Sequence, residues 1–133
     1  MKVGMLTSGG DCAGLNAVMR AIALNLYTNV KNVEIVGFRD GYAGLIRGEA
    51  VPMRRADFEG LLRVGGTVLG TTRTPFKLMS VPEADGSTRL AKMVAAYRRL
   101  GLDCLFTLGG AGTHRTAALL CAEGCNVIGL PKT

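Results

Sequence analysis

The chain has 133 residues, a length that fits one small domain or part of a larger one. Its 48% hydrophobic and 20% charged residues are compatible with a packed core, and its 19 glycines predict many tight turns or ligand-facing loops. The formal net charge of +6 favours phosphorylated small molecules, nucleic acids or anionic membranes as partners. With four cysteines, no C-x-x-C pair and one histidine, the usual zinc spacings are excluded.

The same composition narrows the partners and the compartment. No stripe alternates basic and aromatic residues, so an RNA- or DNA-binding domain rests on net charge alone, and we expect no nucleic-acid partner. No apolar run approaches the roughly 20 residues of a membrane span, and the first residues read as a strand without a signal peptide. We therefore expect a cytoplasmic protein with free thiols and no membrane partner.

The first predicted elements form a strand–helix–strand unit. Lys2–Thr7 is a short apolar run that ends at Ser8-Gly9-Gly10, which predicts a buried strand. A helix is predicted over residues 14–28 because apolar residues recur at helical spacing, namely Leu15, Val18, Ile22 and Leu26. Residues 33–38 predict a second strand, and this order is typical of a parallel βαβ unit.

The middle of the chain, residues 40–86, is irregular because glycines and prolines interrupt it. Within it, residues 57–62 predict a short helix and residues 68–69 a short strand. Regularity returns at Ser87, a predicted N-cap, and the helix that follows ends at Gly101. Its apolar face is predicted to be Leu90, Val94 and Tyr97, with Leu100 or Met93.

A second strand–helix–strand unit follows. Residues 102–108 predict a strand, residues 113–123 a helix closed by Gly124, and residues 126–130 another strand. Continuous apolar strands that alternate with helices predict a three-layer α/β sandwich with a mainly parallel, Rossmann-like sheet. Since a covering helix normally follows such a strand, we expect that the chain is truncated.

Two strand-to-helix turns are rich in glycine, and we call residues 8–14 and 109–113 the first and second glycine corners. Glycine lets backbone N–H groups approach an anion, and the helix that follows adds its positive dipole end. Both corners are therefore candidate phosphate sites, although tight turns without a ligand are the alternative. Neither fits a P-loop, and Arg115 occupies the position where the dinucleotide fingerprint needs a small residue.

Few side chains near these corners carry chemistry. Arg73 lies among hydroxyl residues, where a guanidinium suits a bidentate phosphate contact; a solvated surface arginine is the alternative. Asp11 is a general base or, more simply, a helix cap. His114 has no nucleophile partner at a known spacing, which favours a capping or surface residue.

In five segments the chain resembles the N-terminal part of the ATP-dependent 6-phosphofructokinase family. The segments occur in the family's order and are GMLTSGGDCAGLNA (4–17), GFRDGYAGL (37–45), GGTVLGTTR (65–73), LGGAGT (108–113) and VIGLPKT (127–133). The resemblance implies the phosphofructokinase fold and, in the intact family, a homo-oligomer that is usually a tetramer. It also implies transfer of the ATP γ-phosphoryl group to O1 of fructose 6-phosphate, a glycolytic step that uses Mg²⁺.

The resemblance also assigns site residues. The Gly10 N–H faces the transferring phosphate and Arg73 stabilises the transition state, so these two are the catalytic candidates. Tyr42 is placed near the adenine end, and Thr133 begins the sugar-phosphate site. The nucleotide contacts are assigned to Gly10, Tyr42, Arg73, Thr74, Gly110, Ala111, Gly112 and Thr113, and Asp11 and Asn16 are expected to hold the first glycine corner.

The chain departs from the family pattern at one metal-site position. Ala111 stands where the family carries an acidic residue or an amide that helps hold Mg²⁺, so this ligand is lost. Gly112 is typical of ATP users, whereas pyrophosphate users tend to carry aspartate there, which leaves a pyrophosphate-dependent enzyme as an alternative. Since the family's catalytic aspartate lies beyond Thr133, we expect this chain alone to be inactive; a non-catalytic nucleotide-binding or regulatory module is the other alternative.

Overall fold

The computed structural model describes residues 1–9, 14–63 and 65–132 of the chain. Within these ranges lie five strands, five α-helices and two short 3₁₀ turns. In chain order the strands and helices are β1 (Lys2–Thr7), α1 (Leu15–Asn29), β2 (Glu34–Phe38), α2 (Tyr42–Arg47), β3 (Ala50–Met53), α3 (Arg55–Phe58), α4 (Arg89–Arg99), β4 (Cys104–Gly109), α5 (Ala111–Ala122) and β5 (Val127–Pro131). None of the described helices combines the length and hydropathy needed to cross a bilayer.

All five strands form one sheet, in the order β3-β2-β1-β4-β5. Every neighbouring pair is parallel except β2 and β3, which are antiparallel. Strand β1 lies at the centre, where Val3 is opposite Ile35 of β2 on one side and Cys104 of β4 on the other. The mainly parallel sheet predicted from the two strand–helix–strand units is confirmed, with α1 and α5 as the crossover helices.

Helices cover both faces of the sheet. Because successive strand residues point to opposite faces, neighbours such as Met5 and Leu6 enter different cores. Met5 and Ile35 pack with residues of α1 and α3, whereas Leu6 and Val36 pack with residues of α2, α4 and α5. This arrangement confirms the predicted three-layer α/β architecture.

Helix α4 begins one residue later than the N-cap prediction at Ser87. The cap is Thr88, whose Oγ1 accepts a hydrogen bond from the Ala91 N–H at 3.0 Å. Ser87 instead donates its hydroxyl hydrogen to Asp85 Oδ1 at 2.9 Å. The nearby carboxylate therefore engages the first hydroxyl and leaves the second to cap the helix.

The short helix predicted at residues 57–62 lies earlier in the chain. Asp57 Oδ2 accepts a hydrogen bond from the Arg54 N–H at 2.7 Å, so the helix begins at Arg55 with Asp57 in its first turn. It ends at Phe58, before Gly60 adopts a φ of +82°, and a 3₁₀ turn follows at Leu61–Arg63. A charged residue inside the predicted segment thus proved to be part of the cap.

The strand predicted at residues 68–69 is wrong, because this segment forms a turn. The Val68 N–H donates to the side-chain Oδ1 of Asn16 at 2.7 Å instead of to a neighbouring strand. The Leu69 carbonyl accepts from the Asp40 N–H at 3.0 Å, and Gly70 follows with a φ of +75°. Both residues are apolar, but their hydrogen bonds connect loops.

Two elements in the irregular middle were not predicted, α2 and β3. Helix α2 is only six residues long and is bounded by Gly41 and Gly48, both with positive φ. Strand β3 contains Pro52, which lies opposite Val36 of β2. Proline is tolerated there because β3 is an edge strand, on which an N–H donor is not needed on the open side.

Candidate functional site

The sheet topology creates a crevice between β1 and β4. The chain leaves β1 through α1 toward β2 on one side of the sheet, and leaves β4 through α5 toward β5 on the other. In open α/β sheets, ligands bind at the carboxyl ends of the strands where the order reverses in this way. The two glycine corners follow these two strands, so the topology alone brings them together.

A cleft of about 320 Å³ occupies this position. It is lined by residues that follow three different strands and by one loop, namely Ser8, Gly9, Arg73, Thr74, Pro75, Phe76, Gly110, Gly112, Thr113 and Lys132. Five residues assigned from the sequence, Arg73, Thr74, Gly110, Gly112 and Thr113, therefore share one cavity. Its volume lies at the lower end of the range for small-molecule sites.

The first glycine corner is tied to the loop that carries Arg73. The Gly9 N–H donates to the Thr72 carbonyl at 3.2 Å, and the Thr71 hydroxyl donates to the Gly9 carbonyl. Gly9 has a φ of +84°, a conformation that favours glycine, and this turn brings its backbone against the loop. These bonds position Arg73 beside the first corner although 64 residues separate it from Gly9 in the sequence.

The second glycine corner begins helix α5 and packs closely on the first. A Cβ at Gly109 would overlap Thr113 Oγ1 and lie 2.7 Å from the Ser8 carbonyl oxygen, so only glycine fits between the two corners. Gly110 is the N-cap; it has no side-chain cap, and the first turn of α5 contains no acidic residue. The N–H groups of this first turn are therefore suited to an external anion.

Two cations complete the cleft. Arg73 is exposed and Lys132 is half-buried, and none of the ion pairs among the described residues involves either side chain. Lys132 Nζ lies 3.8 Å from the position that a Cβ on Gly9 would occupy, above the first corner. The Lys132 N–H donates to the Gly109 carbonyl at 2.9 Å, which anchors this residue beside the second corner.

Lys132 is the site residue that sequence reasoning missed. It follows β5 directly, and the carboxyl ends of parallel strands share one edge of the sheet. A basic residue immediately after a parallel strand was therefore the signal available in the sequence. The segment VIGLPKT contains this lysine, whereas the resemblance assigned a role only to the threonine that follows it.

Tyr42 does not line the cleft, although it was assigned to the adenine end. It is 1% exposed, and its hydroxyl donates to the Thr113 carbonyl oxygen at 2.7 Å. Burial raises the pKa of Tyr42 well above its usual value, so the phenol stays protonated and remains a donor. Its structural effect is to hold the first turn of α5 from behind.

Asn16 binds the loop of residues 65–68, and its expected contact with the first glycine corner involves residues outside the described ranges. Its Oδ1 accepts from the Val68 N–H at 2.7 Å and its Nδ2 donates to the Gly65 carbonyl at 3.3 Å. His114 is also not a simple surface residue, because its ring lies against Gly129 of β5 and its Nε2 is buried without a hydrogen-bond partner among the described residues. Gly10, Asp11 and Thr133 lie outside the described residues.

The described part of the cleft does not fit a magnesium ion. Mg²⁺ prefers carboxylate, phosphate and water oxygens in octahedral geometry, and no carboxylate lines the cleft within the described ranges. Ala111 is exposed and presents a methyl group at the metal position implied by the resemblance. No cluster of three or more potential metal ligands occurs among the described residues.

A second pocket of about 510 Å³ adjoins the cleft, and Arg73, Thr74 and Pro75 line both cavities. Its other walls are side chains of α2, of the segment before α4 and of the first residue of α4. They include Ala43, Ile46, Arg47, Leu78, Glu83 and Arg89. Glu83 is paired with Lys92 at 2.9 Å and with Arg89 at 3.6 Å. The site therefore has a part lined by two cations and glycines and a larger, partly apolar part.

Known proteins resemble the chain in sequence. The Phosphofructokinase family model matches residues 2–133. The chain is 49% identical to an ATP-dependent 6-phosphofructokinase of Spirochaeta thermophila over 98% of this chain and 36% of that protein. It is 43% identical to a pyrophosphate–fructose 6-phosphate 1-phosphotransferase of Streptomyces coelicolor over 100% of this chain and 37% of that protein. The chain thus spans little more than a third of the curated relatives it matches.

Solved structures of phosphofructokinases also resemble the chain. Phosphofructokinase from Pichia pastoris in the T-state matches with a TM-score of 0.80 and 28% identity, over 99% of this chain and 15% of that chain. A pyrophosphate-dependent phosphofructokinase from Nitrosospira multiformis gives 0.81 at 15% identity, over 99% and 33%, which is a likeness of fold alone. Because the family model covers almost every residue, this chain belongs to the phosphofructokinase family.

Proposed function

We propose that this chain forms the phosphoryl-donor site of a 6-phosphofructokinase that transfers the γ-phosphoryl group of ATP to O1 of fructose 6-phosphate. The observation that carries the proposal is the single cleft shared by both glycine corners, Arg73 and Lys132. Backbone N–H groups and two cations at one helix N-terminus are the groups that bind a polyphosphate.

In the proposed reaction, O1 of the sugar forms a bond to the γ-phosphorus as the bond to the β–γ bridging oxygen breaks and ADP leaves. The N–H groups of the first turn of α5, together with that of Gly10, hold the phosphate oxygens. Arg73 follows the charge that develops on the transferring group through a bidentate contact. By resemblance, Thr133 begins the sugar-phosphate site, and the O1 proton passes to an aspartate of the family's loop beyond it.

The adjoining pocket favours ATP over pyrophosphate as the donor. Ala43, Ile46 and Leu78 supply apolar surface next to Arg73, which suits a nucleoside and has no role for pyrophosphate. Gly112 adds no side chain at the cleft. Relatives of both donor classes match the chain at similar identity, so this choice rests on the pocket.

Calorimetry with ATP, ADP and pyrophosphate tests the donor. We expect ATP to bind more tightly than pyrophosphate, and Ala43→Phe, which fills the adjoining pocket, to weaken ATP without weakening pyrophosphate. Leu78→Ala serves as a second variant because Leu78 is 37% exposed, so its truncation leaves the fold intact. Equal effects of Ala43→Phe on both ligands would contradict the assignment of the nucleoside to this pocket.

A second candidate function is a non-catalytic nucleotide-binding module. The observation in its favour is that no carboxylate or imidazole lines the described cleft to accept the sugar proton. By resemblance, Ala111 also stands where the family carries an acidic residue or an amide. A coupled assay of the intact protein separates the two candidates, because both predict that the 133-residue chain alone binds ATP without turnover. Turnover of fructose 6-phosphate by the intact protein supports the kinase, and ATP binding without turnover supports the module.

From the resemblance we also propose a cytoplasmic location and assembly of the intact protein as a homo-oligomer. Sedimentation of the purified protein measures the assembly directly.

A further inference from the structure

Among the described residues, the side chains that line the cleft carry charge of one sign only. Arg73, Lys132 and the N-terminus of the 12-residue helix α5 all face it, and no acidic side chain lines it within the described residues. Neither cation has an ion-pair partner among the described residues. Two unpaired cations beside a positive dipole end repel each other unless an anion lies between them.

The acid of the adjoining pocket does not reduce this excess. Glu83 is held by Lys92 at 2.9 Å and Arg89 at 3.6 Å, so its charge is already neutralised by two partners. Lys92 also contacts Asp85 at 3.3 Å, so Glu83, Arg89, Lys92 and Asp85 form one ion-pair network. The cations of the cleft therefore remain available to a ligand.

Position 111 bears on whether the anion binds together with a metal ion. Ala111 lies between Gly110 and Gly112, both of which line the cleft, and its methyl group offers no oxygen to a hard cation. A magnesium ion on the polyphosphate would add a third, divalent cation to the cleft of Arg73 and Lys132, without a carboxylate ligand among the described lining residues.

We propose that this cleft binds its polyphosphate in the metal-free form. Arg73 and Lys132 neutralise the phosphate charge that a magnesium ion neutralises in other nucleotide sites. This inference rests on the proposed function, because it assumes that a polyphosphate occupies the cleft. Metal-free ATP carries more negative charge than its magnesium complex, and it exposes the oxygens that the two cations contact. Magnesium ions should therefore compete with the protein for the ligand.

The test is calorimetry of the 133-residue chain with ATP, and separately with pyrophosphate, at constant ionic strength in EDTA or in excess Mg²⁺. We expect the dissociation constant for both ligands to rise about tenfold in Mg²⁺. Affinities within twofold of each other, or tighter binding in Mg²⁺, would overturn the metal-free inference but leave the proposed function intact. No binding of ATP or pyrophosphate under either condition would overturn both.

Two variants sharpen the test. Ala111→Asp should weaken ATP binding in EDTA by about tenfold and reverse the magnesium effect, because the new carboxylate repels the bare anion and supplies an oxygen ligand. Ala118→Asp is the matched control, since Ala118 is exposed in the same helix about two turns beyond Ala111, away from the cleft residues Gly110 and Gly112. It should keep the preference for EDTA, and a reversal there would overturn the assignment to position 111.

Lys132→Met gives an independent measurement that does not alter α5. It removes one of the two cations, so affinity in EDTA should fall by about tenfold and the difference between EDTA and Mg²⁺ should shrink. A Lys132→Met variant with unchanged affinity in EDTA would overturn the role given to this side chain. The melting temperature of each variant shows whether it has folded.

Discussion

The Tyr42 hydroxyl donates a 2.7 Å hydrogen bond to the carbonyl oxygen of Thr113, and this bond connects α2 to the first turn of α5. The two residues are 71 positions apart in the sequence. Tyr42 is fully enclosed, so water cannot replace the bond. The first turn of α5, which lines the cleft, is thus supported from inside the protein.

Tyr42→Phe should lower the free energy of unfolding by about 1–2 kcal/mol, because a fully buried hydrogen bond is lost and the Thr113 carbonyl keeps only its helical donor. Tyr97→Phe is the matched control: the Tyr97 hydroxyl accepts from the exposed Asn126 N–H at 3.1 Å, where water can substitute, and less than about 1 kcal/mol should be lost. Urea unfolding of both variants measures the difference. Equal losses would show that burial of the bond does not matter.

The same tyrosine should make stability depend on pH in the alkaline range. Its pKa is raised in the folded state by burial, so above about pH 10 the unfolded chain loses this proton while the folded chain keeps it. The unfolded state then binds fewer protons, and stability falls as pH rises. Tyr42→Phe should decline less steeply above pH 10 than the native chain in denaturant titrations, and parallel curves would contradict the assignment.

Arg73→Ala should weaken ATP binding by roughly tenfold to a hundredfold, because one charge-assisted contact to phosphate is lost. Its stability should change little, since Arg73 is exposed and forms no ion pair among the described residues. Arg73→Lys should recover only part of the affinity because an ammonium lacks the bidentate geometry. Arg63→Ala, another exposed arginine outside the cleft, should bind ATP like the native chain in the same titration.

Gly109→Ala and Gly112→Ala should separate stability from binding. A Cβ at Gly109 overlaps Thr113 and approaches the Ser8 carbonyl, so this variant should lose about 1–3 kcal/mol of stability. A Cβ at Gly112 meets no atom within 4 Å, and alanine favours the helix, so stability should hold or rise by up to about 1 kcal/mol. Gly112→Ala should still weaken ATP, because this glycine lines the cleft. Thermal unfolding and calorimetry check the pair.

Much of the candidate site was predictable because it lies at strand ends. The apolar runs before Gly9 and Gly109 predict strands, and parallel strands bring their carboxyl ends to one edge. Arg73 was harder, since its loop has no periodicity and reaches the cleft through hydrogen bonds from Gly9 to Thr72 and from Thr71 to Gly9. Its place among hydroxyl residues made Arg73 a candidate and the resemblance assigned its role, whereas these contacts explain physically how it reaches the cleft.

Tyr42 shows the limit of assigning a residue's role from a family motif. A motif locates a residue near a ligand site but does not say whether its side chain faces the ligand or the core. The glycines at 41 and 44 let α2 turn and pack closely, since a Cβ at Gly44 would overlap the Arg39 backbone, and Tyr42 becomes part of the core behind α5. The ring therefore supports the loop and does not line the cleft.

The amino-acid sequence by itself determined the two strand–helix–strand units and their glycine corners, because hydrophobic spacing and glycine conformation act over a few neighbouring residues. Only the tertiary structure decided the antiparallel edge strand β3, the burial of Tyr42 and the entry of Lys132 into the cleft. Each of these depends on contacts between segments far apart in the chain, such as Lys132 above Gly9. A pattern within a few neighbouring residues does not show which distant segments will meet in the fold.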